Sequence, residues 1–485
     1  MRVRLLELEC RERPYRLRMP FRFGVTTVTH GRQAIVRARV ALENGKEATG
    51  WSADALGAKW FDKNTALTDA QNHHQLRRSI EIAAAAYLAL PFDTPFSHFV
   101  STYDAHIAHC AAESLNPLVA SFGQSLVDRA IIDGFCRALG VSLDTAMRGG
   151  LVGLGANDLT PELASFDFAH LFDGHSPAGQ IAVRHTVGLA DPILTADIAA
   201  DDRVHDGLPQ SLEEVVAFYG NSHFKLKIGG DPVTDIERLE NIAAVLGRSK
   251  LPYAVTLDGN EQYSQAEAIA DFFSRLLTRP SLRHLAGSIL FVEQPVHRSK
   301  ALSASIKPLA ARIPVIIDES DGELSAFRTA QELGYSGVSS KACKGIWKSV
   351  LNLARCKLWN SKEGQQRYFM SAEDLTCEPG ISIQQDLALV RLLGLTHVER
   401  NAHHFIDGFG ERPETEADAF LAAHPDLYHR QDGRVRLRID KGKFHIGSLD
   451  AAGFGAAVDP MFETYEPMPR AEWPPLTDPA SGARA

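Results

Sequence analysis

The chain lacks several features that would assign it quickly to a class of protein. No stretch approaches the roughly 18 uninterrupted apolar residues of a membrane-spanning helix. The N-terminal MRVRLLELECRERPYRL carries charges where a secretory leader has its apolar core. None of the six cysteines forms a CxxC pair, which disfavours a zinc site or a disulfide scaffold and favours reduced thiols. We therefore expect a cytoplasmic protein without structural disulfides.

An excess of basic residues is also absent. Lys and Arg number 51 against 60 Asp and Glu, so the formal net charge is −9. Nucleic-acid-binding proteins present a net basic surface, so we expect neither a nucleic acid nor a membrane as partner. Hydrophobic residues make up 45% and charged residues 23% of the chain, close to globular averages, which excludes wholesale disorder. We see no solenoid repeat and no low-complexity tract.

The first 150 residues predict an α+β domain. VRLLELECRE and AIVRARVALENG alternate apolar and polar residues, as strands do, and a Gly- and Thr-rich loop, FRFGVTTVTHGR, separates them. In residues 64–150 the apolar side chains recur at helical spacing, which predicts helices, and the last of these helices ends at Gly140. Residues 151–182 are punctuated by Gly and Pro and predict a linker or insertion. The tail, 411–485, carries a strand pair around RVRLRIDKGKFHIG.

Residues 183–410 predict a parallel β/α barrel. Eight short apolar runs recur, each followed by a helical stretch, which is the pattern of alternating strands and helices in such a barrel. The fold class is therefore α/β, with an α+β domain ahead of the barrel. The runs are AVRHTVGL, HFKLKIGG, YAVTLDGNE, SILFVEQPV, PVIIDES, YSGVSSKACK, RYFMSAEDL and THVERNAHHF.

Carboxylates close three consecutive runs of this barrel: Asp258, Glu293 and Asp318. The carboxyl ends of barrel strands form the rim where active sites are built, so we expect the three to converge on one point. Unpaired, they would repel one another. A divalent cation would resolve that repulsion, and an all-oxygen set of ligands favours Mg²⁺.

Lysines close the neighbouring runs. Lys225 and Lys227 end HFKLK, and period-two alternation points both into the barrel. A lysine acts as a base when a neighbouring cation lowers the pKa of its ammonium group. Lys341 and Lys344 follow GVSS on a later strand. This combination suits removal of a proton α to a carboxylate, because the enolate needs strong charge stabilisation.

The order and spacing of these residues carry more weight than any one of them. A lone Lys-x-Lys or Asp-Glu-Ser is most often a solvated or ion-paired surface feature. Here KLK, DGN, VEQP, IDES and a further lysine occur in order, 23 to 35 residues apart, each closing an apolar run. That interval is about one strand–helix unit. The series therefore points to one shared site.

The series resembles the enolase superfamily, specifically its muconate lactonizing enzyme-like branch, commonly grouped with mandelate racemase. The resemblance covers nearly the whole chain and includes SLVDRAIIDGFCRALGVSLDTAMRGG before the barrel and SLDAAGFGAAVDP after it. It implies an α+β capping domain over 1–150, completed by 411–485, and a modified (β/α) TIM-like barrel over 183–410. It also implies Mg²⁺ as cofactor and a homo-oligomer, since members often form dimers or octamers.

The resemblance also implies roles for individual residues. Lys227 would be the base on one face of the substrate, Lys225 would tune it and hold the carboxylate oxygens, and Lys341 would be the acid/base on the opposite face. The implied metal ligands are Asp258, Glu293 and Asp318. Supporting groups behind them would be Asn260 and Glu319, and cap contacts to the substrate would come from Thr26, Thr27 and His30. From their strand ends alone, we expect Glu373 to support the site electrostatically and Arg400, with Glu399, to contact the distal part of a substrate.

The expected function is Mg²⁺-dependent removal of the α-proton of a carboxylate, most simply for racemisation or epimerisation. A syn-dehydratase or cycloisomerase is the close alternative. HVERNAHHF lacks the paired aspartates with which dipeptide epimerases of this branch grip an ammonium group, which argues against dipeptides. Two readings from other classes are a catalytically retired metal-binding barrel and a Mg²⁺-dependent carbon–carbon lyase. The second would need neither opposed lysines nor a cap.

Overall fold

The computed structural model describes residues 1–23, 26–174, 178–249 and 251–474. Its N-terminal part is an antiparallel sheet covered by helices, and its C-terminal part is a closed barrel of parallel strands. We call the first part, β1–β3 with α1–α5, the cap. Its strands are β1 Val3–Phe23, β2 Thr26–Leu42 and β3 Glu47–Ala55, and its helices are α1 Ala58–Phe61, α2 Asp69–Leu88, α3 Pro95–Ala112, α4 Pro117–Leu139 and α5 Leu143–Arg148.

The cap sheet forms because its strands alternate between a buried and an exposed face. Every second residue in the middle of β2 is a small apolar side chain buried under the helices, the pattern of a half-buried strand. Between them, Arg37 and Arg39 pair outward with glutamates of β1. The buried residues are Ala34, Val36, Ala38 and Val40.

Helix α4 is the centre of the cap and is buried on nearly all sides. Asn116 caps its start, and it ends at Gly140, whose φ of 71° is the left-handed conformation that favours glycine. The predicted end of this helix at Gly140 is confirmed. Gly50 of β3 lies so close to α4 that a Cβ there would come within 2.1 Å of the Ala130 carbonyl oxygen. Sheet and helix can therefore meet only because residue 50 is glycine.

Eight parallel strands close the barrel within the described residues, since the last one pairs with the first. Each begins in one of the eight predicted apolar runs or just before it, so the predicted fold class, a modified TIM-like barrel with an N-terminal cap, is confirmed. The strands are β4 Gln180–Val187, β5 His223–Lys227, β6 Ala254–Asp258, β7 Ile289–Glu293, β8 Val315–Ile317, β9 Gly337–Ser340, β10 Phe369–Ala372 and β11 His397–Arg400.

Helices surround the barrel and follow its strands. They are amphipathic where they pack on the barrel; α7, for example, buries Ile236, Leu239 and Ile242 on one face. The helices are α6 Leu212–Tyr219, α7 Pro232–Arg248, α8 Ala266–Thr278, α9 Arg283–Gly287, α10 Arg298–Ala301, α11 Lys307–Ala310, α12 Ala326–Leu333, α13 Ile346–Glu363, α14 Ile381–Leu392 and α15 Ala402–Phe405.

The tail differs from its prediction. The two strand segments of RVRLRIDKGKFHIG do not form a ladder with each other. The first pairs with the strand before it, and the second adds antiparallel to β4 on the barrel. The chain then returns to the cap, where Glu466 pairs with Glu12 on the edge of β1. The tail elements are α16 Glu414–Ala423, β12 Tyr428–Gln431, β13 Arg434–Leu437, β14 Lys443–His445 and β15 Glu466–Pro467.

Candidate active site

A cavity of about 390 Å³ opens between the cap and the carboxyl ends of the barrel strands. Cap residues form its outer wall, and polar side chains from the strand ends form its inner wall. This is the end of a β/α barrel at which active sites are built. The inner wall contains Lys225, Lys227, Asp258, Asn260, Asp318, Lys341, Asp374, Glu399 and Asn401.

Lys225 lies at the centre of the inner wall, in contact with four buried carboxylates. Its Nζ is 2.8–2.9 Å from oxygens of Asp258, Glu293, Glu373 and Glu399. Burial alone would lower the pKa of Lys225, but the four negative charges raise it well above its usual value. Lys225 is therefore held as an ammonium ion that binds oxygen, as expected for a group that stabilises negative charge, and not as a base.

Lys227 and Lys341 approach the cavity from opposite sides. Lys227 ends β5, the second barrel strand, and Lys341 follows β9, the sixth, so the two are four strands apart in a ring of eight. Lys227 Nζ donates to Asp258 Oδ2 at 2.6 Å, and Lys341 Nζ donates to Asp318 Oδ2 at 2.7 Å. Both ammonium groups thus lie beside a carboxylate, with the cavity between them.

Asp318 is surrounded by hydrogen-bond donors. Besides Lys341, it accepts from Lys344 Nζ at 3.2 Å and from the hydroxyl of Ser339. Burial raises the pKa of this carboxyl, but the charges of Lys341 and Lys344 outweigh burial and hold it far below its usual value. The pKa of Lys341 is raised in turn, because Asp318 outweighs its burial.

An aromatic side chain of the cap covers Lys341. The Nζ atom lies 4.2 Å from the ring centroid of Trp60, within the range of a cation–π contact. Trp60 belongs to α1 and also lines the cavity. The ammonium group of Lys341 is therefore held between a carboxylate of the barrel and a ring of the cap, and both parts of the molecule shape the site.

A buried ion-pair cluster fixes this part of the cap to the barrel. Arg298 at the start of α10 donates to both oxygens of Glu261 at 2.8 and 3.0 Å. It also donates to the carbonyl oxygens of Trp60 and Phe61 at 2.9 and 3.1 Å. Lys63 of the cap pairs with Glu261 as well. We call Arg298, Glu261 and Lys63 the clamp; sequence reasoning did not find it, because its members lie far apart in the chain.

The three predicted metal ligands end adjacent strands, with Asp258 directly opposite Glu293 in the register of β6 and β7. Their oxygens turn towards lysines, however, and within the described residues no three His, Cys, Asp or Glu side chains converge closely enough to hold a metal ion. Asp258 and Glu293 share the ammonium group of Lys225, and Asp318 pairs with Lys341, so the assignment of the three as metal ligands stays a prediction. The lysines neutralise the carboxylates instead.

The same residues nevertheless fit a magnesium ion by charge and by chemistry. Burial, with the nearby charges of Asp258 and Glu373, raises the pKa of Glu293 well above its usual value. Asn260 Oδ1 and Glu319 Oε2 are buried at the same rim without a hydrogen-bond partner. Unsatisfied oxygens and crowded carboxylates are what a hard cation neutralises. A magnesium ion would be held by Asp258, Glu293 and Asp318.

The structure places most of the other predicted residues at the cavity or behind it. Glu319 accepts from Asn260 Nδ2 at 3.1 Å, directly behind the carboxylates. Glu373 lies against Lys225 and the buried Arg184. The cap residues predicted to contact substrate all line the outer wall: Thr26, Thr27 and His30.

Two residues at the end of the eighth strand, Glu399 and Arg400, differ from their predicted places. Arg400 is fully buried between Asp374 and Asp386 and is not among the side chains that line the cavity. Glu399, expected at the distal part of a substrate, lies at the inner wall against Lys225. Glu399 ends an apolar run, as the other carboxylates do. The rule that such residues lie at the rim of the barrel would therefore have placed Glu399 at the inner wall.

A pair of histidines and a cysteine near the site pack inside the fold. His403 and His404 lie on the short helix α15, not on a strand, and pack against His185. Cys343, between the two lysines after β9, is buried, and burial raises the pKa of its thiol well above the usual value. A thiol in that state is a packing residue rather than a nucleophile.

Comparisons with known proteins agree with this architecture. Residues 208–357 match the family model for enolase C-terminal domain-like proteins. An enolase from Streptomyces coelicolor is 16% identical, with a TM-score of 0.59, and the match covers 95% of this chain and 96% of that one. A dipeptide epimerase from Cytophaga hutchinsonii, complexed with Mg and D-Ala-L-Val, is 16% identical, with a TM-score of 0.58 and coverage of 96% and 99%.

An enolase from Bradyrhizobium, complexed with magnesium and mandelic acid, is also 16% identical, with a TM-score of 0.57 and coverage of 96% and 99%. No curated protein matches the chain. Fold and rim together define a capped β/α-barrel enzyme. Residues 208–357 are similar to the enolase C-terminal domain-like family, and the chain as a whole has the fold of the enolase superfamily. The predicted resemblance and the prediction of an enzyme are confirmed.

Proposed function

We propose that this enzyme removes the proton α to the carboxylate of a small-molecule substrate and forms an enolate. The observation that carries the proposal is the pair Lys227 and Lys341, which reach one cavity from opposite strands of the barrel. Two bases on opposite faces of a substrate suit racemisation or epimerisation, because one removes the proton and the other returns a proton on the far face. With a leaving group β to the carboxylate, the same site would carry out elimination.

The surrounding charges support the same reaction. Lys225 is held as an ammonium ion at the centre of the inner wall, where it would donate to an oxygen of a substrate carboxylate in exchange for one of its three present acceptors, Glu293, Glu373 and Glu399. Mg²⁺ held by Asp258, Glu293 and Asp318 would supply further positive charge to stabilise the enolate. The cap lines the outer side of the site, and the burial of Lys225, Asp258 and Glu293 strengthens their electrostatic contacts.

Each lysine has one step to perform in this proposal. Before it can act as a base, Lys227 must leave its contact with Asp258. Lys341 is held as an ammonium ion between Asp318 and Trp60, so it carries the proton to be returned, and it must leave Asp318 to give that proton up. This assigns Lys227 to proton removal and Lys341 to proton return in one direction, with the roles exchanged in the other.

Hydrogen–deuterium exchange at the α-carbon tests the proposal. The protein is incubated in D₂O with Mg²⁺ and a library of acid sugars, N-acylamino acids, dipeptides and lactones, and deuterium uptake is read by mass spectrometry. We expect uptake in at least one substrate, its loss with EDTA, and its loss or alteration in Lys227→Ala and Lys341→Ala. Lys300→Ala, an exposed lysine of α10, serves as the matched control. Exchange that survives all three treatments would contradict the proposal.

The expected location and assembly of the protein belong to the same proposal. A cytoplasmic location is supported by the six cysteines, all of which are free thiols. No helix in the part of the chain that the structure describes is long and apolar enough to cross a membrane. Assembly into a homo-oligomer and the limits of the domains at 150, 182 and 410 stay predictions.

A further inference from the structure

Lys341 lies one residue beyond the end of its strand. β9 ends at Ser340, whose carbonyl oxygen accepts a hydrogen bond from the amide of Glu373 at 3.0 Å. Lys227, in contrast, is the final residue of β5 and is paired with Asp258 in the register of β5 and β6. The hydrogen bonds of the sheet therefore fix the backbone of Lys227, whereas the backbone of Lys341 needs support from elsewhere in the fold.

The residue after Lys341, Ala342, is held by side chains at both of its backbone polar atoms. Its amide donates to Asp386 Oδ1 at 2.8 Å, and its carbonyl oxygen accepts from the hydroxyl of Ser125. Asp386 belongs to α14 of the barrel and Ser125 to α4 of the cap, and both residues are buried. Side chains from both parts of the molecule thus hold the backbone next to Lys341.

Asp386 is itself held in place by a buried ion pair. Its Oδ2 accepts from the guanidinium group of Arg400, which also donates to Asp374 Oδ1 at 3.0 Å. All three residues are buried. Hydrogen bonds between charged groups are roughly twice as strong as those between neutral groups. The pairing with Arg400 therefore fixes the carboxylate of Asp386 and leaves Oδ1 directed at the amide of Ala342.

The two helices that carry Ser125 and Asp386 are joined to each other. Arg129 lies one turn after Ser125 on α4 and is fully buried. It donates to the side-chain oxygen of Gln385, which precedes Asp386 on α14, at 3.1 Å. It also pairs with Asp54 of β3 at 2.9 Å. The hydroxyl of Ser125 and the carboxylate of Asp386 are therefore held at a fixed separation on either side of one residue.

We propose that Ser125 and Asp386 are positioning residues for Lys341, because they fix the backbone from which its ammonium group reaches the substrate. The inference rests on the proposed function, which gives Lys341 a proton to move. Neither positioning residue is among the described side chains that line the cavity, so both act through Ala342. A displacement of about 1 Å at a reacting group can slow a reaction about 100-fold. Loss of either contact should therefore slow proton transfer on the face that Lys341 serves and spare the face that Lys227 serves.

Deuterium uptake at the α-carbon, measured with Mg²⁺ for each pure enantiomer of the compound that exchanges most in the screen above, tests the proposal. In Ser125→Ala and Asp386→Asn, we expect uptake to fall about ten-fold or more for the enantiomer that Lys341→Ala no longer exchanges. Uptake by the other enantiomer should stay within about two-fold of wild type. The matched control is Ser121→Ala, one turn earlier on α4, which loses a hydrogen bond to the carbonyl oxygen of Gly322 at 2.8 Å. This control should leave both enantiomers within about two-fold of wild type.

Amide hydrogen exchange gives a second measurement that needs no substrate. It is read by mass spectrometry on the fragment that contains residues 341–345 of the full chain. We expect faster exchange in Ser125→Ala and Asp386→Asn than in wild type, and the wild-type rate in Ser121→Ala. Asp386→Asn leaves one acceptor oxygen for two donors, Ala342 and Arg400, so one of the two contacts is lost.

The outcomes separate this inference from the proposed function. Equal effects of Ser125→Ala and Asp386→Asn on both enantiomers, or unchanged uptake in both variants, would overturn the positioning role and leave the proposed function standing. Unchanged amide exchange of residues 341–345 in both variants would overturn the positioning role as well. Absence of uptake from every compound in the wild type would overturn the proposed function, and this inference with it.

Discussion

Arg298 joins the cap to the barrel, and its replacement by methionine tests how much the clamp stabilises the fold. Methionine keeps the unbranched stem and removes the guanidinium group. Glu261, with a side chain only 1% exposed, then keeps Lys63 alone as its cationic partner. Trp60 loses the donor to its carbonyl oxygen, whereas Phe61 keeps a hydrogen bond from Asn116.

The expected change in the free energy of unfolding follows from these lost contacts. Breaking a buried ion pair by removing one partner costs roughly 3–5 kcal/mol, because the other charge stays buried. Lys63 reduces that cost, and the lost hydrogen bond to Trp60 adds about 1 kcal/mol. We expect Arg298→Met to lower the free energy of unfolding by about 3 kcal/mol. Adding Glu261→Gln removes the stranded charge, so the double variant is expected to lose less than the sum of the two single ones.

Urea unfolding followed by circular dichroism and tryptophan fluorescence measures these changes. The matched control is Arg275→Met, whose pair with Asp271 is more than half exposed on both sides, and which should cost less than about 1 kcal/mol. A loss in Arg298→Met no larger than in the control, or strictly additive losses in the double variant with Glu261→Gln, would refute the clamp.

Three further predictions concern other parts of the molecule. Burial raises the pKa of Asp128 to about 8, so the free energy of unfolding should fall by about 4 kcal/mol from pH 4 to pH 7. Asp128→Asn should flatten this pH dependence in unfolding titrations. An unchanged pH dependence in the variant would contradict the assignment to Asp128. Trp60→Leu should slow α-proton exchange about ten-fold by uncovering Lys341, whereas Trp60→Phe should stay within about three-fold; equal rates would exclude the ring contact. Gly50→Ala should lower the free energy of unfolding by about 1–3 kcal/mol. A Cβ at Gly155 would meet no atom within 4 Å, so Gly155→Ala should leave the free energy of unfolding unchanged.

The barrel was predictable because its signal is local. Each strand is a short apolar run, and each run ends in the residue that reaches the rim, so Asp258, Glu293 and Asp318 could be assigned to strand ends from their position alone. The same holds for Lys225 and Lys227, whose alternation within β5 fixes the face on which they lie. Gly140 as the end of α4 is a third local signal.

The contacts across the cavity could not be predicted in this way. Trp60 lies near an apolar stretch of the cap and looks like an ordinary core residue, and only the closed fold brings it over Lys341. Glu261 and Arg298 meet because the strands β6 and β7 are neighbours, and they reach the cap through the backbone of α1. Contacts between residues 37 to 281 positions apart depend on the whole topology.

The pairing of carboxylates with lysines shows a second limit of prediction from the sequence. Sequence position gives the strand end but not the rotamer, and the rim holds lysines and carboxylates in comparable numbers. Lys225 contacts two of the three predicted metal ligands, Asp258 and Glu293, whereas Asp318 pairs with Lys341. Arg400 shows the reverse case: its charge suggests a substrate contact, but Asp374 and Asp386 on neighbouring elements hold it inside the fold.

The central claim is that Lys227 and Lys341 act on opposite faces of one α-carbon. The most direct measurement is deuterium uptake from each enantiomer of a substrate identified in the exchange screen, in wild type, Lys227→Ala and Lys341→Ala, with Mg²⁺ present. Two opposed bases predict that each variant loses exchange with one enantiomer and keeps exchange with the other, and that the two variants lose opposite enantiomers. If both variants affect both enantiomers equally, or neither affects either, the two-base account is wrong.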